Sequence, residues 1–269
     1  PVLDVLRKDA SVILKQDLLD QLAAIANLVG QDSTTDNIVP VFTFLMQDAD
    51  LAVRASVAEN LEPVAEALGA TGVVTHVLPI MLSLSKDQRW RVRRAVVANL
   101  GTMARILGVK GKVYENRLIP LVRVALSEHV HAVRNRACVE LRVMTYELGI
   151  ALIMEKLFPI TSELFDTKIN YLYRLTALNF CLYTATAHEN ACPLSIIMES
   201  FMPLILAGAT DTVPNVRILA SRCLLAIMPR LDAAYVQSTV LPTLRKLEKD
   251  DDKEVALQAS IALKGSGKD

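Results

Sequence analysis

The sequence has few of the residues on which catalysis or disulfide-stabilised folds usually depend. Aromatic residues make up 5% of the 269 positions, tryptophan occurs once, and the four cysteines (Cys138, Cys181, Cys192 and Cys223) show no CxxC spacing. Cysteines without metal or disulfide spacing are typical of a reducing compartment. No GxSxG, HExxH or glycine-rich phosphate loop is present, so nothing in the sequence indicates an enzyme, a metal or a cofactor.

An excess of either charge is also absent. Lys and Arg together number 29, as do Asp and Glu, so the formal net charge is zero. General binding to nucleic acid or to an anionic membrane surface requires a basic excess. We therefore predict neither partner, and only a local basic patch stays open. The longest apolar runs, such as 38–46, reach about half of the ~20 residues that cross a bilayer, so we predict no membrane span.

Aliphatic residues are abundant, and they accompany two regular markers. Hydrophobic residues make up 52% of the chain. A basic residue that follows an apolar one recurs at an interval of about 40 residues, at Lys15, Arg54, Arg93, Arg134, Arg174 and Arg217. Prolines keep the same interval, at Pro1, Pro40, Pro79, Pro120, Pro159, Pro203 and Pro242. An acidic residue follows each proline after seven or eight positions, at Asp9, Asp48, Asp87, Glu128, Asp166, Asp211 and Asp250. Two independent markers with one period indicate a repeat architecture.

Each repeat is predicted to contain two helices. From Leu14, Val53, Val92, Val133 and Val216, apolar residues return after 4, 8, 11 and 15 positions, which is one face of a four-turn helix. Glycines at 30, 69, 108 and 149 follow, where a left-handed helix cap needs a residue without Cβ. A second helix surrounds each proline of the series and should bend there. Pro63 and Pro229 should kink the helices that contain them.

These patterns predict an all-α fold, an α-solenoid of about seven helix–turn–helix repeats that forms a single domain over 1–269. Neither helix of a repeat can bury its apolar face alone, so the repeats must stack. The predicted repeats are 1–30 (partial), 31–69, 70–108, 109–149, 150–189, 190–231 and 232–269. Because Pro1 already lies inside the first repeat, we expect the chain to be part of a longer protein.

The segment from Asp87 to Arg93 differs from the other turns, because it holds the only tryptophan. Trp90 precedes Val92, the first core position of its helix, and Arg89 and Arg91 flank it. An exposed tryptophan between arginines is typical of a protein-binding hot spot, and capping of the neighbouring helix is the alternative. The recurring arginines, in contrast, are expected to pair with the acidic markers and to bind carbonyls between repeats rather than to bind an anion.

A proline-bent first helix, a closing acidic residue and a Val-Arg pair resemble the HEAT repeat. The turns at 87–93, 128–134, 170–176 and 213–217 resemble, in order and spacing, the C-terminal turns of the scaffolding A subunit family of protein phosphatase 2A. This resemblance covers nearly the whole chain. It implies a non-catalytic scaffold whose C-terminal repeats hold the phosphatase catalytic subunit. A regulatory B-type subunit would bind N-terminal repeats that are absent here. The implied location is the cytoplasm, with the nucleus as a second compartment.

The resemblance also implies a set of protein-binding residues: Arg89, Trp90, Arg91, His129, Val130, His131, Asn170, Tyr171, Tyr173, Pro214 and Asn215. Two departures from the family pattern indicate a divergent member, since His131 stands where the family usually has tyrosine and the final turn, 250–255, is very acidic. Tyr173 also falls on the core register, so packing and contact both stay open for it. His129 and His131 have no third ligand nearby in sequence, as a zinc site requires. The alternative function is a HEAT-repeat adaptor for nuclear transport or another protein assembly.

Overall fold

The computed structural model describes residues 6, 11–108, 113–166, 170–188 and 191–265. Two of the repeat markers, Pro1 and Asp9, lie outside these residues. The chain divides into two compact units, Pro1–Leu148 (unit 1) and Gly149–Asp269 (unit 2), which are described separately below. The number of repeats and their boundaries stay a prediction.

Both units consist of helices, and the described residues contain no strand. The α-helices of unit 1 are α1 Val12–Ser33, α2 Val39–Leu45, α3 Leu51–Glu59, α4 Leu61–Gly72, α5 Leu78–Leu84, α6 Trp90–Val97, α7 Leu100–Leu107, α8 Ile119–Leu126 and α9 His131–Leu148. Those of unit 2 are α10 Ile150–Lys156, α11 Phe158–Asp166, α12 Tyr171–Ala185, α13 Leu194–Ile196, α14 Met202–Gly208, α15 Pro214–Ile227, α16 Ala233–Tyr235, α17 Leu241–Leu247 and α18 Lys253–Gly265. The predicted all-α solenoid class is confirmed, because successive helix pairs stack in chain order within each unit.

The predicted core faces of the second helices are confirmed in most repeats. The residues at the predicted spacing from Val53, Val92, Val133 and Val216 are all buried. These helices begin two residues earlier than the Val-Arg pair, at Leu51, Trp90, His131 and Pro214. Glycines 30, 69, 108 and 149 have φ values between 55° and 84°, so the expected need for a residue without Cβ is confirmed. Their backbones are not the predicted left-handed helical caps, because ψ is extended, as at Gly30 (176°) and Gly69 (−175°).

The predicted register of α1 is wrong. Leu14, Ile25 and Val29 are exposed, and Leu19, Ala23 and Ala26 are buried in their place; Leu18 and Leu22 are only half-buried. The described helices against which α1 packs, α3 and α4, belong to the next repeat and cover one side of it. An inner helix of a stack has neighbours on two sides, so its buried stripe is wider than the stripe that one neighbour can cover.

The predicted bends at the repeat prolines take the form of π-helical turns. Such a turn precedes five of the prolines, over Thr34–Ile38, Val73–Val77, Tyr114–Leu118, Ile197–Phe201 and Val236–Val240. In each case the N–H of the residue before proline binds the carbonyl five positions earlier, as Val39 N–H does with Thr34 O. Proline lacks an N–H and its ring crowds the carbonyl four residues back, and the wider turn relieves both conflicts. Before Pro159 the chain instead breaks between α10 and α11.

Proline explains only part of the breaks in the second helices. Pro63 lies just after the break at Asn60, and Pro229 lies in the 3₁₀ turn Met228–Arg230 that follows α15. Asn99 separates α6 from α7 without any proline. Its side-chain amide donates to Ala95 O at 2.9 Å and to Ala58 O at 2.8 Å. A polar side chain is therefore hydrogen-bonded to backbone carbonyl oxygens at the break.

Among the described residues, one helical run is long and apolar enough to pass as a membrane span, a test that a partly buried core helix also passes. The run Leu61–Leu84 is 24 residues long, and its most apolar stretch is 44% buried inside the fold. The run contains the non-helical Gly69, at φ 62° and ψ −175°. It therefore joins the end of one packed helix to the beginning of the next, and the sequence pattern missed its length because polar residues interrupt it.

Candidate protein-binding turns

A ladder of ion pairs fixes the turns between paired helices. Five of the six basic markers bind the acidic marker of the following turn, in the pairs Lys15–Asp48 (2.7 Å), Arg54–Asp87 (2.6 Å) and Arg93–Glu128 (2.7 Å) of unit 1 and Arg174–Asp211 (2.5 Å) and Arg217–Asp250 (2.7 Å) of unit 2. The four arginine pairs are bidentate, with Nε and Nη2 on separate carboxylate oxygens. These side chains are largely buried, which makes the pairs geometrically specific.

The same arginines also bind the backbone of their own turn. Arg93 Nη1 donates to Asp87 O at 2.7 Å and to Gln88 O at 3.2 Å. Arg54, Arg134 and Arg217 make the equivalent pair of bonds. Carbonyls at the end of the first helix have no helical partner, and the guanidinium supplies one. The structural interpretation of the arginines is therefore confirmed.

The carboxylates of this ladder are held ionised. Burial by itself would raise the pKa of Asp87, but hydrogen bonds from Arg54 and from the Arg89 backbone outweigh it, and the pKa is lowered. The pKa of Glu128 is lowered in the same way, with burial opposed by hydrogen bonds from Arg93 and Val130 N–H. At Asp250 the bond from Arg217 is itself the largest influence and lowers the pKa. The ladder is thus an ionic frame at neutral pH.

On this frame, the first residue of each second helix occupies an equivalent place. This series, the helix-start series, is Leu51, Trp90 and His131 in unit 1 and Tyr171, Pro214 and Lys253 in unit 2. Its members differ in chemistry while the hydrogen bonds around them repeat. Trp90, His131, Tyr171 and Pro214 are four of the predicted protein-binding residues, so the prediction selected one structural position without recognising it as such.

Trp90 lies at the start of α6, not in the turn that the sequence predicted. Its ring is half-buried, and the Arg91 guanidinium lies 4.8 Å from the ring centroid. Arg89, Arg91 and Trp90 line a small open cavity of about 180 Å³ together with Leu51 and Gln88. A cation over the indole face and an adjoining recess form a surface on which an apolar side chain of a partner could be bound.

The next turn of unit 1 carries the predicted histidines. His129 is exposed, and its Nδ1 lies 2.5 Å from Glu128 Oε1. Val130 and His131 are half-buried. Burial, followed by the charge of Arg134, lowers the pKa of His131, so its ring is neutral at neutral pH. A neutral ring at this position can make an apolar contact, as an aromatic residue would.

The predicted residues of unit 2 divide between capping and exposed positions. Asn170 caps α12, since its Oδ1 accepts from Leu172 N–H at 2.9 Å. Tyr171, Tyr173 and Pro214 are half-buried, and Asn215 is exposed. The ion pair Arg174–Asp211 joins the turn of Asn170 to that of Asn215. The resemblance did not assign the capping function of Asn170, which the N-cap preference of Asn could have indicated.

Leu51 and Gln88 line the cavity at Trp90 and were missed by sequence reasoning. Gln88 is adjacent to Arg89 in the chain, and Leu51 lies one repeat before Trp90, so counting back one period from the tryptophan would have found it.

No described group of three or more His, Cys, Asp and Glu residues is arranged to hold a metal ion. Cys138, Cys181, Cys192 and Cys223 are buried, and none of them forms a disulfide. Burial raises the pKa of Cys138 and Cys223 to about 12 and that of Cys192 to about 11. Thiols with such values are poor nucleophiles at neutral pH.

Comparison with known families identifies one segment in each unit. Residues 77–107 and 201–231 match the HEAT repeat. The first contains Trp90 with its flanking arginines, and the second contains Pro214 and Asn215. No protein in a search of curated sequences matches the chain.

Solved structures with a similar fold include Kap121p and importin beta. Kap121p is 16% identical over 92% of the chain, with a TM-score of 0.61, and importin beta is 11% identical over 97%, with a TM-score of 0.58. The chain spans 25% of the Kap121p structure and 35% of the importin beta structure. The likeness at this identity concerns the fold.

Proposed function

We propose that this chain is a non-catalytic scaffold that binds a protein partner through the helix-start series and the residues beside it. The observation that carries the proposal is the contrast between the repeated ion pairs and hydrogen bonds of the turns, which form a common frame, and the differing side chains that the turns expose. Turns 87–93 and 211–217 share their ion pairs, their backbone hydrogen bonds and one core valine, whereas the other four residues between the two ladder positions all differ. A repeated frame with variable exposed residues is the arrangement by which solenoids present binding surfaces.

The mechanism is positional. The ladder holds each turn in one geometry before the partner arrives, so little conformational entropy is lost on binding. Stacked helix layers lie roughly 10 Å apart, and neighbouring turns therefore offer side chains at regular steps along the partner. Trp90 is the expected hot spot, because a half-buried aromatic side chain next to arginine loses little freedom and gains a large contact area.

For the partner itself, we propose a protein phosphatase 2A-type catalytic subunit. The support is the order and spacing of the Trp-Arg-Val-Arg, Glu-His-Val-His and Asn-Tyr-Leu-Tyr turns, together with the exposure of Arg89, Arg91 and His129 at them. In this version the B-type subunit binds repeats that precede those of this chain, and the complex acts in the cytoplasm.

The second candidate is an adaptor in nuclear transport or another protein assembly. The structural likeness to Kap121p and importin beta supports it, and this support is more direct than the support for the phosphatase, since it covers more than nine-tenths of the chain. Both versions use the same turns and differ in the partner.

Titration of the chain with a purified phosphatase 2A catalytic subunit separates the two candidates. We expect binding, and we expect Trp90→Ala combined with Arg91→Ala to weaken it by well over 1 kcal/mol. The control is Asn215→Ala in unit 2, an exposed residue of the equivalent turn, which should have a smaller effect. Binding that the double variant leaves unchanged contradicts the role of these turns. The absence of any binding to the catalytic subunit contradicts the phosphatase version and leaves the adaptor.

A further inference from the structure

The exposed charges of unit 1 are divided by sign. Between residues 11 and 72, every exposed Asp, Glu, Lys or Arg is acidic: Asp17, Asp20, Asp32, Asp36, Asp50, Glu59, Glu62 and Glu66. Among the described residues from 73 to 148, every exposed one is cationic: Lys86, Arg89, Arg91, Arg94, Arg105, Arg117, Arg123 and Arg142. The zero net charge of the whole chain conceals this division.

The two halves are also separate in space. Helices of unit 1 pack in chain order, with α1 on α3 and α4, α3 on α6, α4 on α7, and α6 and α7 on α9. Residues 11–72 therefore form one end of the unit and residues 73–148 the other. Opposite charges meet at the junction, where Arg105 Nη2 lies 2.6 Å from Glu66 Oε1. Unit 2 shows no such division, since exposed Arg245 and Lys246 are followed directly by exposed Glu248.

Several of the cations have no function in the fold. The side chains of Lys86, Arg94 and Arg123 make no hydrogen bond or ion pair with any described residue. Lys86 ends the stretch before the Asp87 turn, Arg94 follows Arg93 in α6, and Arg123 lies in α8. Exposed like charges on neighbouring helices repel one another, so the fold itself does not favour this arrangement.

We propose that the basic half of unit 1, residues 73–148, binds an acidic protein segment, and that the acidic half, residues 11–72, sets the direction in which that segment lies. This inference rests on the proposed function, because it assigns a chemistry to the partner of the Trp90 turn. The basic field raises the rate of encounter, and the adjoining acidic field repels the wrong orientation. The cavity beside Trp90 then binds one apolar side chain of the segment.

A protein segment fits this surface better than nucleic acid. A polyanion with uniform charge density gains affinity with every phosphate that a basic surface neutralises, so its binding site is continuously basic. Here the basic end is followed by eight exposed carboxylates, which would repel a strand that extends along the unit. A protein segment that changes from acidic to neutral or basic meets both halves favourably.

The test uses the whole chain and three labelled probes of equal length: a polyglutamate peptide, a polylysine peptide and a single-stranded DNA. The variant combines Lys86→Glu, Arg94→Glu and Arg123→Glu, none of which belongs to the predicted protein-binding set. The matched control reverses Arg245, Lys246 and Lys249 of unit 2 to Glu, which makes the same change in net charge. Affinity is measured by fluorescence anisotropy at low and at physiological salt.

We expect polyglutamate to bind the native chain at low salt and the variant to bind it at least about tenfold more weakly. The control should retain most of the affinity. Raising the salt shortens the screening length from about 30 Å to about 8 Å and should weaken binding to the native chain more than binding to the variant. Polylysine should lose affinity when Glu59, Glu62 and Glu66 are changed to Gln.

Three results would overturn the inference: equal loss in variant and control, tighter binding of DNA than of polyglutamate, or salt-sensitive self-association of the chain in sedimentation that excludes the peptide. The last would assign the division to a contact between copies. These outcomes are distinct from failure of the proposed function, which concerns Trp90 and Arg91 and the catalytic subunit. A chain can bind polyglutamate through Lys86, Arg94 and Arg123 and yet fail that separate test.

Discussion

The turn from Asp87 to Arg93 in unit 1 and the turn from Asp211 to Arg217 in unit 2 have the same hydrogen bonds and different surfaces. In both, the acid accepts an arginine of the preceding repeat, at 2.6 Å and 2.5 Å, and a backbone N–H two residues on, at 2.8 Å. In both, the final arginine donates to the carbonyl of the acid, at 2.7 Å and 2.8 Å. The intervening residues are Gln-Arg-Trp-Arg-Val in one and Thr-Val-Pro-Asn-Val in the other.

The backbone agrees as closely as the hydrogen bonds. Arg89 precedes α6 with φ −92° and ψ 116°, and Val213 precedes α15 with φ −93° and ψ 120°. The comparison teaches that the acid, the arginine and one core valine suffice to build the turn. The positions between them are free to differ, and they are where the two turns acquire separate surfaces. Stability and partner choice should therefore respond to different substitutions.

The largest expected effect is on the shared frame. Arg93→Ala and Arg217→Ala each leave a largely buried carboxylate, Glu128 or Asp250, without its partner. Each should lower the free energy of unfolding by about 3 kcal/mol, measured by urea denaturation. Equal losses would confirm that the two frames are equivalent. A loss below about 1 kcal/mol in either unit would show that the ladder contributes little there.

An exchange of surfaces separates binding from stability. Trp90→Pro with Arg91→Asn copies the unit 2 surface onto unit 1, and the extended Arg89 backbone accepts a following proline at a helix start. We expect partner affinity to fall more than about tenfold, or 1.4 kcal/mol, with the same frame retained. Circular dichroism and urea denaturation verify the fold.

The reverse exchange is the control for that experiment. Pro214→Trp with Asn215→Arg keeps the expected hot spot at Trp90 and Arg91, so it should weaken partner affinity by clearly less than the first exchange does. If both exchanges weaken binding equally, the surfaces are not separate and the comparison fails.

A smaller effect is expected from pH. Because the folded state lowers the pKa of Asp87, Glu128 and Asp250, their ionised forms stabilise the fold at neutral pH. This contribution is complete above the ordinary carboxyl range of about 4 and is lost as pH falls through the lowered folded-state values. The free energy of unfolding should therefore decrease on acidification below about pH 4. Asp87→Asn should reduce both the neutral-pH stability and this dependence; an unchanged pH profile in the variant would contradict the assignment.

The smallest effect should come from exposed residues outside the frame. Arg89→Ala and Asn215→Ala are expected to change the free energy of unfolding by less than about 0.5 kcal/mol, since neither side chain has an ion pair among the described residues. Thermal denaturation of the two variants beside Arg93→Ala gives the check. A cost at Arg89 comparable to that at Arg93 would mean that surface and frame are not distinct.

Much of the fold was predictable because apolar residues recur at the same core positions in successive repeats. Val53, Val92, Val133 and Val216 are buried as expected, since each occupies the same position on the core face of its helix. The prediction was wrong for α1, where Leu14 has the correct sequence spacing but no described neighbour on that side. It also missed the break at Asn99, where the side-chain amide competes with backbone N–H groups for helix carbonyls. Hydrophobic periodicity contains no information about such hydrogen bonds.

The candidate site was predictable as a set of residue types and not as a geometry. A tryptophan between arginines marked the place, and the period aligned it with His131, Tyr171 and Pro214. Sequence reasoning placed Trp90 in a turn and left Leu51 out, because residue spacing alone does not determine at which residue a helix begins. The separation of acidic and basic charge in unit 1 was also missed, since total composition adds the two halves to zero.

The sequence by itself determined the helical class, the period, the places where glycine takes a positive φ and the pairing of arginine with acid, because each of these follows from local chemistry repeated at fixed intervals. The tertiary structure alone decided which side of α1 is buried, how proline is accommodated by a π-helical turn, and which charges share one end of unit 1. Those features depend on the neighbours that packing supplies, and distance along the chain does not specify them. The turn from Asp87 to Arg93 depends on both. The repeated sequence determines its ion pairs and backbone hydrogen bonds, and the tertiary structure places Trp90 beside Leu51.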